Sequence, residues 1–200
     1  MSDRLYLKGD AVRFGWEKVK ARLLFFVLIS LTVIFVNVLP QISDQLWGPS
    51  LILGIVFFLI KTFIDIGMTK VSLNFVGDIK TEYSVLFSGM PYYLRYLGTV
   101  IVFMVLTLIG FILLIIPGII VGVRLMFFGP LVIDKGLAPI EALKRSFEIT
   151  KGKFWDLLLL SLIIFGINIL GILCLGVGLL VTLPLTSIAI IYVYRKLEGK

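Results

Sequence analysis

The sequence lacks residues on which catalytic and metal sites commonly depend. It contains no histidine, the commonest metal ligand and a frequent general base. Its one cysteine, Cys174, rules out a disulfide within the chain. Only 16% of the 200 residues are charged, against roughly 25% in an ordinary soluble domain. So few charged residues cannot cover the surface of a soluble protein, and lipid must be the solvent for much of the chain.

Sequence motifs of the common enzyme classes are also missing. The chain has no GxxxxGK[ST] phosphate loop, no HExxH, no GxSxG and no CxxC. Gly171, Gly176 and Gly178 do not make a dinucleotide fingerprint, because no strand-turn-helix unit surrounds them. No acidic residues cluster with the spacing of metal ligands. We therefore expect a protein that is not an enzyme and that holds no cofactor and no metal.

Apolar residues, in contrast, are abundant and come in long blocks. They make up 60% of the chain, and the mean hydropathy is +1.11. A helix needs about 20 apolar residues to cross a bilayer, and these blocks are too long and too little alternating for barrel strands. The sequence predicts an all-α polytopic membrane protein with six transmembrane helices. They are Leu23–Leu39 ended by Pro40, Ser50 to about Met68 with helix continuing towards Val76, Leu97–Ile116 ended by Pro117, Ile119–Ile133, Phe154–Leu175, and Val177–Tyr194 kinked at Pro184.

Lysine and arginine fall on one side of this six-helix arrangement. The segments 1–22, 69–96 and 134–153 and the C-terminal tail hold seventeen of the nineteen, whereas the segments 40–49 and 117–118 hold none. The positive-inside rule then places both termini in the cytoplasm, with the chain in the cytoplasmic membrane. The first apolar block follows a charged segment and lacks a cleavage site, so we expect a retained signal anchor.

The net charge of +7 and the pI of about 9.6 indicate an anionic partner. The basic residues flank apolar blocks and form no hydrophilic domain, which argues against nucleic acid. Anionic membrane lipids are the expected partner.

The basic segments predict an internal repeat. Setting Asp10 against Glu141 aligns DAVRFGWEKVKARLL with EALKRSFEITKGKFW without gaps, and a long apolar block follows each. A weaker third copy begins at Thr81. We predict a single membrane domain, 1–200, built from the units 1–76, 77–136 and 137–200. Each unit is a hairpin of two membrane helices preceded by an amphipathic helix on the cytoplasmic face, in a pseudo-threefold repeat.

The amphipathic pattern is strongest at Pro139–Thr150. Ile140, Leu143 and Phe147 recur on one helical face, and Glu141–Arg145 and Lys144–Glu148 have ion-pair spacing on the other. Val12, Trp16 and Val19 form the corresponding stripe of the first unit. The basic residues of the two helices predict a cytoplasmic face that contacts lipid or docks a partner protein or a second copy of the chain. These residues are Arg13, Lys18, Lys20, Arg22, Lys144, Arg145, Lys151 and Lys153.

Polar residues inside the predicted spans are a candidate intramembrane site. A charge at the bilayer centre costs about 2.5–3.5 kcal/mol on insertion scales. Lys61 and Asp65 lie one turn apart, so they pair with each other or line a polar groove that takes an anionic headgroup or solute. Arg124, about six residues from the hairpin tip, joins Lys61 in that groove or extends its guanidinium to the membrane surface. Asn168 is expected to form a hydrogen bond to another helix.

A family resemblance rests on PGIIVGVRLMFFGPLVIDKGLAPIEALKRSFEITKGKFWDLL and on GVGLLVTLPLTSIAIIYVYRKL. The chain resembles the integral-membrane domain found beside some glycerophosphodiester phosphodiesterase domains, and related small uncharacterised prokaryotic membrane proteins with six helices. The resemblance implies the fold and a role connected with membrane lipid. The phosphodiesterase catalytic domain has no counterpart here, so its activity is not implied.

Three functions are left by these observations. The first is a non-enzymatic membrane module that binds lipid or a partner protein. The second is a small transporter or channel subunit that uses Lys61, Asp65 and Arg124. The third is an enzyme that modifies lipid, which would require an acidic cluster that the sequence does not show.

Overall fold

A computed structural model describes residues 3–174 and 176–199 of the chain, and all of its regular structure is helical. Leu175, the predicted end of the fifth span, and Lys200 lie outside the described residues. The α-helices are α1 (Asp3–Ala21), α2 (Leu23–Trp47), α3 (Leu51–Val76), α4 (Tyr93–Leu113), α5 (Ile115–Leu125), α6 (Phe128–Lys135), α7 (Pro139–Ile149), α8 (Phe154–Leu173) and α9 (Leu179–Leu197). Two short 3-10 helices, Tyr83–Phe87 and Met90–Tyr92, precede α4.

Six helical segments of the described chain are long and apolar enough to cross a membrane. They are α2, α3, the 3-10 helices together with α4, the pair α5–α6, α8 and α9. This confirms an all-helical chain with six candidate spans and indicates a multi-pass membrane protein.

Two proline positions contradict the predicted ends of helices. Helix α2 continues through Pro40 to Trp47, although Pro40 leaves the carbonyl of Val36 without its usual i+4 donor. The third span ends at Leu113, and Pro117 lies in the first turn of α5, where its missing N–H would have no helical partner in any case. The turn between the two helices is therefore at Leu114.

The connection between α3 and α4 also differs from the prediction of an amphipathic α-helix at 81–87. The regular structure of this connection is 3-10 helix. The connection runs antiparallel along α3, from the end of that helix to its middle. Arg22 donates a hydrogen bond to the carbonyl of Thr81 (3.3 Å), and the Tyr93 hydroxyl donates to the carbonyl of Leu59 (3.1 Å). Between them, the backbone of Leu86 lies directly against Gly67.

Helix α9 is at the centre of the molecule and contacts α1, α2, α3 and α8. Its residues Leu185 and Ile188 belong to a buried apolar cluster with Phe26 of α2. Further along, Tyr194 belongs to a second cluster with Phe127 at the start of α6. The last helix therefore joins the two parts of the hydrophobic core.

The face of α1 that is buried in the protein shares Val19 with the predicted apolar stripe, and the amphipathic placement of the two basic helices stays a prediction. In α1 the buried residues are Ala11, Gly15 and Val19, whereas Trp16 is 47% exposed. A Cβ on Gly15 would lie 2.7 Å from the carbonyl oxygen of Leu185. This helix therefore packs against α9 through small residues, which let the two backbones approach closely.

In α7 the buried face shares Leu143 with the predicted apolar stripe. Its buried residues are Ala142, Leu143 and Ser146, whereas Ile140 is 61% and Phe147 49% exposed. Of the buried residues, Ser146 bonds to the backbone of Arg124 in α5 and of Phe127 just before α6.

Pairs of glycines close two of the hairpins. A Cβ on Gly110 of α4 would lie 2.9 Å from the Cα of Gly118 in α5, and a Cβ on Gly178 would lie 2.7 Å from the Cα of Gly171 in α8. Gly118 therefore serves the contact within its hairpin. Gly122 has open space around it, so the GxxxG spacing of these two glycines does not mark one packed face.

Candidate functional site

The fourth candidate span is broken at Met126 and Phe127, between α5 and α6. Ser146 of α7 donates a hydrogen bond to the carbonyl of Arg124 (3.0 Å) and accepts one from the N–H of Phe127 (3.2 Å). The Thr150 hydroxyl lies 3.1 Å from the same carbonyl oxygen, but its one O–H is closer to the carbonyl of Ser146 in the preceding turn (2.8 Å). In lipid an unsatisfied backbone group costs several kcal/mol, so the Ser146 hydroxyl stabilises the break. Ser146 and Thr150 were missed by sequence reasoning, although their i,i+4 spacing within an otherwise apolar face was the available signal.

Arg124 lies at the break and not near the hairpin tip. Its guanidinium carbon is 4.5 Å from the centre of the Phe147 ring, a cation–π contact with α7. Its Nε is buried and has no hydrogen-bond partner among the described residues. The guanidinium therefore contacts α7 at the end of α5 opposite the hairpin turn, and its reach to the membrane surface stays a prediction.

An apolar groove of about 570 Å³ lies between α4, α5 and α7. A volume of this size is within the usual range of ligand pockets, about 300–1,000 Å³. Along α4 the groove extends from Val102 to Leu113, which is about 16 Å at 1.5 Å per residue. That length is about half of a hydrocarbon core roughly 30 Å thick, the depth of one leaflet. The groove lining also includes Leu106, Ile109, Gly110, Pro117, Val121, Leu125, Ile140, Leu143, Lys144 and Phe147.

Two cations are found at the α7 end of this groove. Lys144 is exposed and is part of the lining. Arg124 stacks on Phe147, which is also part of the lining. An apolar groove with positive charge at one end has the polarity of an anionic lipid, whose acyl chain is apolar and whose headgroup is negative.

Lys61 and Asp65 form an ion pair within α3. The Nζ of Lys61 is 2.7 Å from Oδ2 of Asp65, at the i,i+4 spacing that the sequence predicts. Lys61 also lines a separate groove with Asn37 and Gln41 of α2. The structure therefore gives Lys61 and Arg124 different neighbours and does not bring them together in one polar groove.

Asn168 does not make the expected hydrogen bond to another helix. Its side-chain N–H donates to the carbonyl of Ile164 in α8 itself (3.0 Å). Its Oδ1 is buried without a partner among the described residues. Only the N–H side of the amide is therefore satisfied, by the local bond that short polar side chains in helices commonly make.

The predicted basic face divides into two parts. In α1 and the turn after it, Arg13 pairs with Glu17 (3.0 Å), Lys18 pairs with Asp78, Lys20 is exposed, and Arg22 bonds to the carbonyl of Thr81. Lys18 and Arg22 therefore hold the start of the α3–α4 connection. Arg13, Lys18 and Arg22 thus bond to other groups of the same chain.

The second part lies around α7. Arg145 pairs with Glu198 (3.0 Å) and with Glu148 (3.2 Å), and Lys135 also pairs with Glu198, whose side chain is 2% exposed. The predicted Glu141–Arg145 pair is not formed, because Glu141 instead accepts a hydrogen bond from the N–H of Ala138 at the start of the helix (3.3 Å). Lys144, Lys151 and Lys153 are exposed. These three lysines are available to a ligand from solution or from the membrane surface.

A metal site is not apparent in the part of the chain that the structure describes, where no three Asp, Glu, Cys or His residues come together.

Comparisons with known proteins assign the chain to a family. Residues 92–200 match the family described as "Protein of unknown function (DUF975)", and because they are more than half of the chain, it belongs to that family. The matched residues include α4 to α9, and so include the apolar groove and its two cations. The wider resemblance, to membrane domains beside glycerophosphodiester phosphodiesterases, stays a prediction.

Two mycobacterial proteins are similar to part of the chain. Uncharacterized protein Mb2590 of Mycobacterium bovis is 33% identical over 109 residues, which are 52% of this chain and 34% of that protein. Uncharacterized protein Rv2560 of Mycobacterium tuberculosis is 32% identical over 109 residues, with the same coverage. The chain therefore spans about a third of the length of these curated relatives. No solved structure matches the chain.

Proposed function

We propose that this protein is a non-enzymatic, multi-pass module of a prokaryotic cytoplasmic membrane that binds an anionic lipid in the groove between α4, α5 and α7. The observation that carries the proposal is the combination of an apolar groove of one-leaflet length with Lys144 and Arg124 at one end. An acyl chain fills the groove, and the phosphate of the headgroup lies at the two cations. The absence of histidine and of catalytic motifs supports a binding role over an enzymatic one.

The orientation that we propose has both termini and α7 on the cytoplasmic side. The distribution of lysine and arginine supports it, because such residues accumulate in cytoplasmic connections. Anionic lipids in that leaflet attract basic segments by about 1 kcal/mol per lysine or arginine. Lys144 is then at the depth where an anionic headgroup meets the groove.

We further propose that the chain consists of three related units, each ending in a hairpin. The glycine contacts Gly110–Gly118 and Gly171–Gly178 support a relation between the second and third hairpins, since both close in the same way. The second unit differs from the other two because the segment before its hairpin, Tyr83–Phe87, is a 3-10 helix and not an α-helix. This repeat has no bearing on the lipid groove itself.

The alternative of a transporter or channel subunit stays a prediction. A transport path that uses both Lys61 and Arg124 requires the two side chains to line the same groove. Their different neighbours, Asn37 and Gln41 for Lys61 and Phe147 for Arg124, favour the lipid-binding role.

Reversal of charge at Lys144 tests the lipid site. Lys144→Glu is expected to lower the amount of phosphatidylglycerol that stays bound during purification by about tenfold, since it removes a charge-assisted hydrogen bond to the phosphate worth roughly 1.5–3 kcal/mol. Native mass spectrometry of protein from mixed phosphatidylglycerol and phosphatidylcholine nanodiscs measures the retained lipid.

Lys151→Glu is the matched control, because Lys151 is an exposed lysine that does not line the groove. It is expected to leave the retained phosphatidylglycerol within about twofold of wild type. An equal loss in both variants would show a general effect of net charge and would contradict the proposed site.

A further inference from the structure

We propose that a second groove, between α2 and α3 near the tip of their hairpin, binds a small oxyanion that also carries a hydroxyl group. The groove has a volume of about 320 Å³ and is lined by Asn37, Pro40, Gln41, Gly54 and Lys61. It is separate from the lipid groove, since α4, α5 and α7 contribute nothing to its lining.

The groove lies within two candidate membrane spans. Gly54 is three residues and Lys61 ten residues from the start of α3, which is about 5 Å and 15 Å along the helix. Polar and ionisable groups in such segments are costly, and they usually face a partner, a cavity or a ligand path. The two amides and the ammonium group of this groove, which Phe57 and Phe58 also line, therefore suit a polar occupant.

The hydrogen-bond donors of the groove favour an anion. An ammonium group has three N–H donors, and that of Lys61 uses one of them for Asp65 at 2.7 Å. The amide nitrogen of Asn37 has two N–H donors and uses one for the carbonyl of Val33 at 2.8 Å. The charge of Lys61 is balanced by Asp65, and the N–H donors that remain on the ammonium and amide groups suit phosphate or carboxylate oxygens.

The acceptors of the groove require that the ligand also donate a hydrogen bond. Pro40 has no N–H, so the carbonyl of Val36, which lines the groove, lacks its usual i+4 donor. In the amide orientation that satisfies its hydrogen bonds, Gln41 donates to the carbonyls of Asn37 (2.7 Å) and Val38 (3.0 Å). Its own carbonyl oxygen is then an acceptor. A hydroxyl group on the ligand satisfies these acceptors, whereas a cation would be repelled by Lys61.

The absence of a side chain at Gly54 provides the space for the ligand. A Cβ at this position would meet nothing within 4 Å, although the residue faces α2 across the groove. Two sources have the required chemistry. One is free hydrogen phosphate, and the other is a phosphatidylglycerol headgroup, with its phosphate and glycerol hydroxyls.

Filling the groove tests this proposal without changing any of its polar groups. Gly54→Leu places an apolar side chain in the groove, and Gly122→Leu is the matched control in α5, where a Cβ also meets nothing within 4 Å. Inorganic phosphate binding is measured by isothermal titration of protein in phosphatidylcholine nanodiscs. Phosphatidylglycerol binding is measured by native mass spectrometry of protein from mixed nanodiscs, with all variants made in the Lys144→Glu background so that lipid held between α4, α5 and α7 does not contribute.

The expected result is at least tenfold weaker binding of one of the two probes by Gly54→Leu, with Gly122→Leu equal to wild type. The probe that responds identifies the source as free phosphate or as lipid. If Gly54→Leu does not fold, the charge-balanced variant Lys61→Gln/Asp65→Asn replaces it, with the same expected loss. The proposal is overturned if wild type binds neither probe, or if the folded groove variant binds both as wild type does. Since the comparison is with Gly122→Leu, failure of the lipid groove around Lys144 does not affect this test.

Discussion

Replacement of Gly67 by alanine is expected to destabilise the protein more than any other single methyl addition in α3. A Cβ at this position would lie 1.8 Å from the carbonyl oxygen of Leu86 and 2.9 Å from its Cα. These atoms belong to the backbone of the connection at 83–87, so no side-chain rotation relieves the overlap. The connection must move, and with it the start of α4.

The expected cost is about 3 kcal/mol, the upper part of the usual range for overpacking a core. This corresponds to a fall in melting temperature of roughly 6–12 °C for a chain of this size, or to protein that does not accumulate in the membrane. Thermal unfolding in detergent, followed by size-exclusion chromatography, measures it.

Gly54→Ala is the matched control, because it adds the same methyl group to the same helix in open space. Its stability is expected to equal that of wild type or to exceed it by up to about 1 kcal/mol, since alanine favours helix over glycine. If Gly67→Ala melted at the temperature of Gly54→Ala, the 83–87 connection would not lie against α3.

Removal of the Ser146 hydroxyl has the second large expected effect. Ser146→Ala leaves the N–H of Phe127 without its side-chain acceptor and removes one donor from the carbonyl of Arg124. A buried group left unsatisfied costs about 1–3 kcal/mol, and the surrounding lipid favours the upper end of that range. The same thermal measurement in detergent detects this loss.

Ser161→Ala is the control for this prediction. The hydroxyl of Ser161 donates only to the carbonyl of Leu157 in its own helix (2.9 Å), a bond that adds little to helix stability. Its replacement is expected to change the unfolding free energy by less than about 0.5 kcal/mol. Equal effects of the two replacements would contradict the role of Ser146 at the α5–α6 break.

The six apolar helices could be predicted from the sequence, because crossing lipid demands long apolar blocks whatever else the chain does. The Lys61–Asp65 pair could also be predicted, since both residues lie on one helix and i,i+4 spacing determines their separation. Helix ends at proline were predicted less well. Pro40 and Pro117 are ordinary stop signals in water, but their effect depends on backbone partners that local sequence does not specify.

The contacts of the groove and of the helix break could not be predicted, since they join residues far apart in the chain. In the sequence, Arg124 has the features of an isolated charge within a span. In the structure, Phe147 of α7 lies against its guanidinium. Ser146 has the pattern of a polar position on an amphipathic helix, whereas its role comes from a carbonyl more than twenty residues away. The faces of α1 and α7 that are buried in the protein could not be predicted for the same reason, since close approach between helices favours small side chains at the contact.

The most direct test of the proposed lipid site is photo-crosslinking with phosphatidylglycerol that carries a photoreactive group near the end of an acyl chain. Protein in nanodiscs that contain this lipid is irradiated and digested, and the modified peptides are identified by mass spectrometry. We expect crosslinks concentrated in 102–125 and 140–147, with a loss of most of them in Lys144→Glu. Crosslinks spread evenly over the exposed apolar faces of α2, α4 and α8, and unchanged in Lys144→Glu, would contradict a specific lipid in the groove.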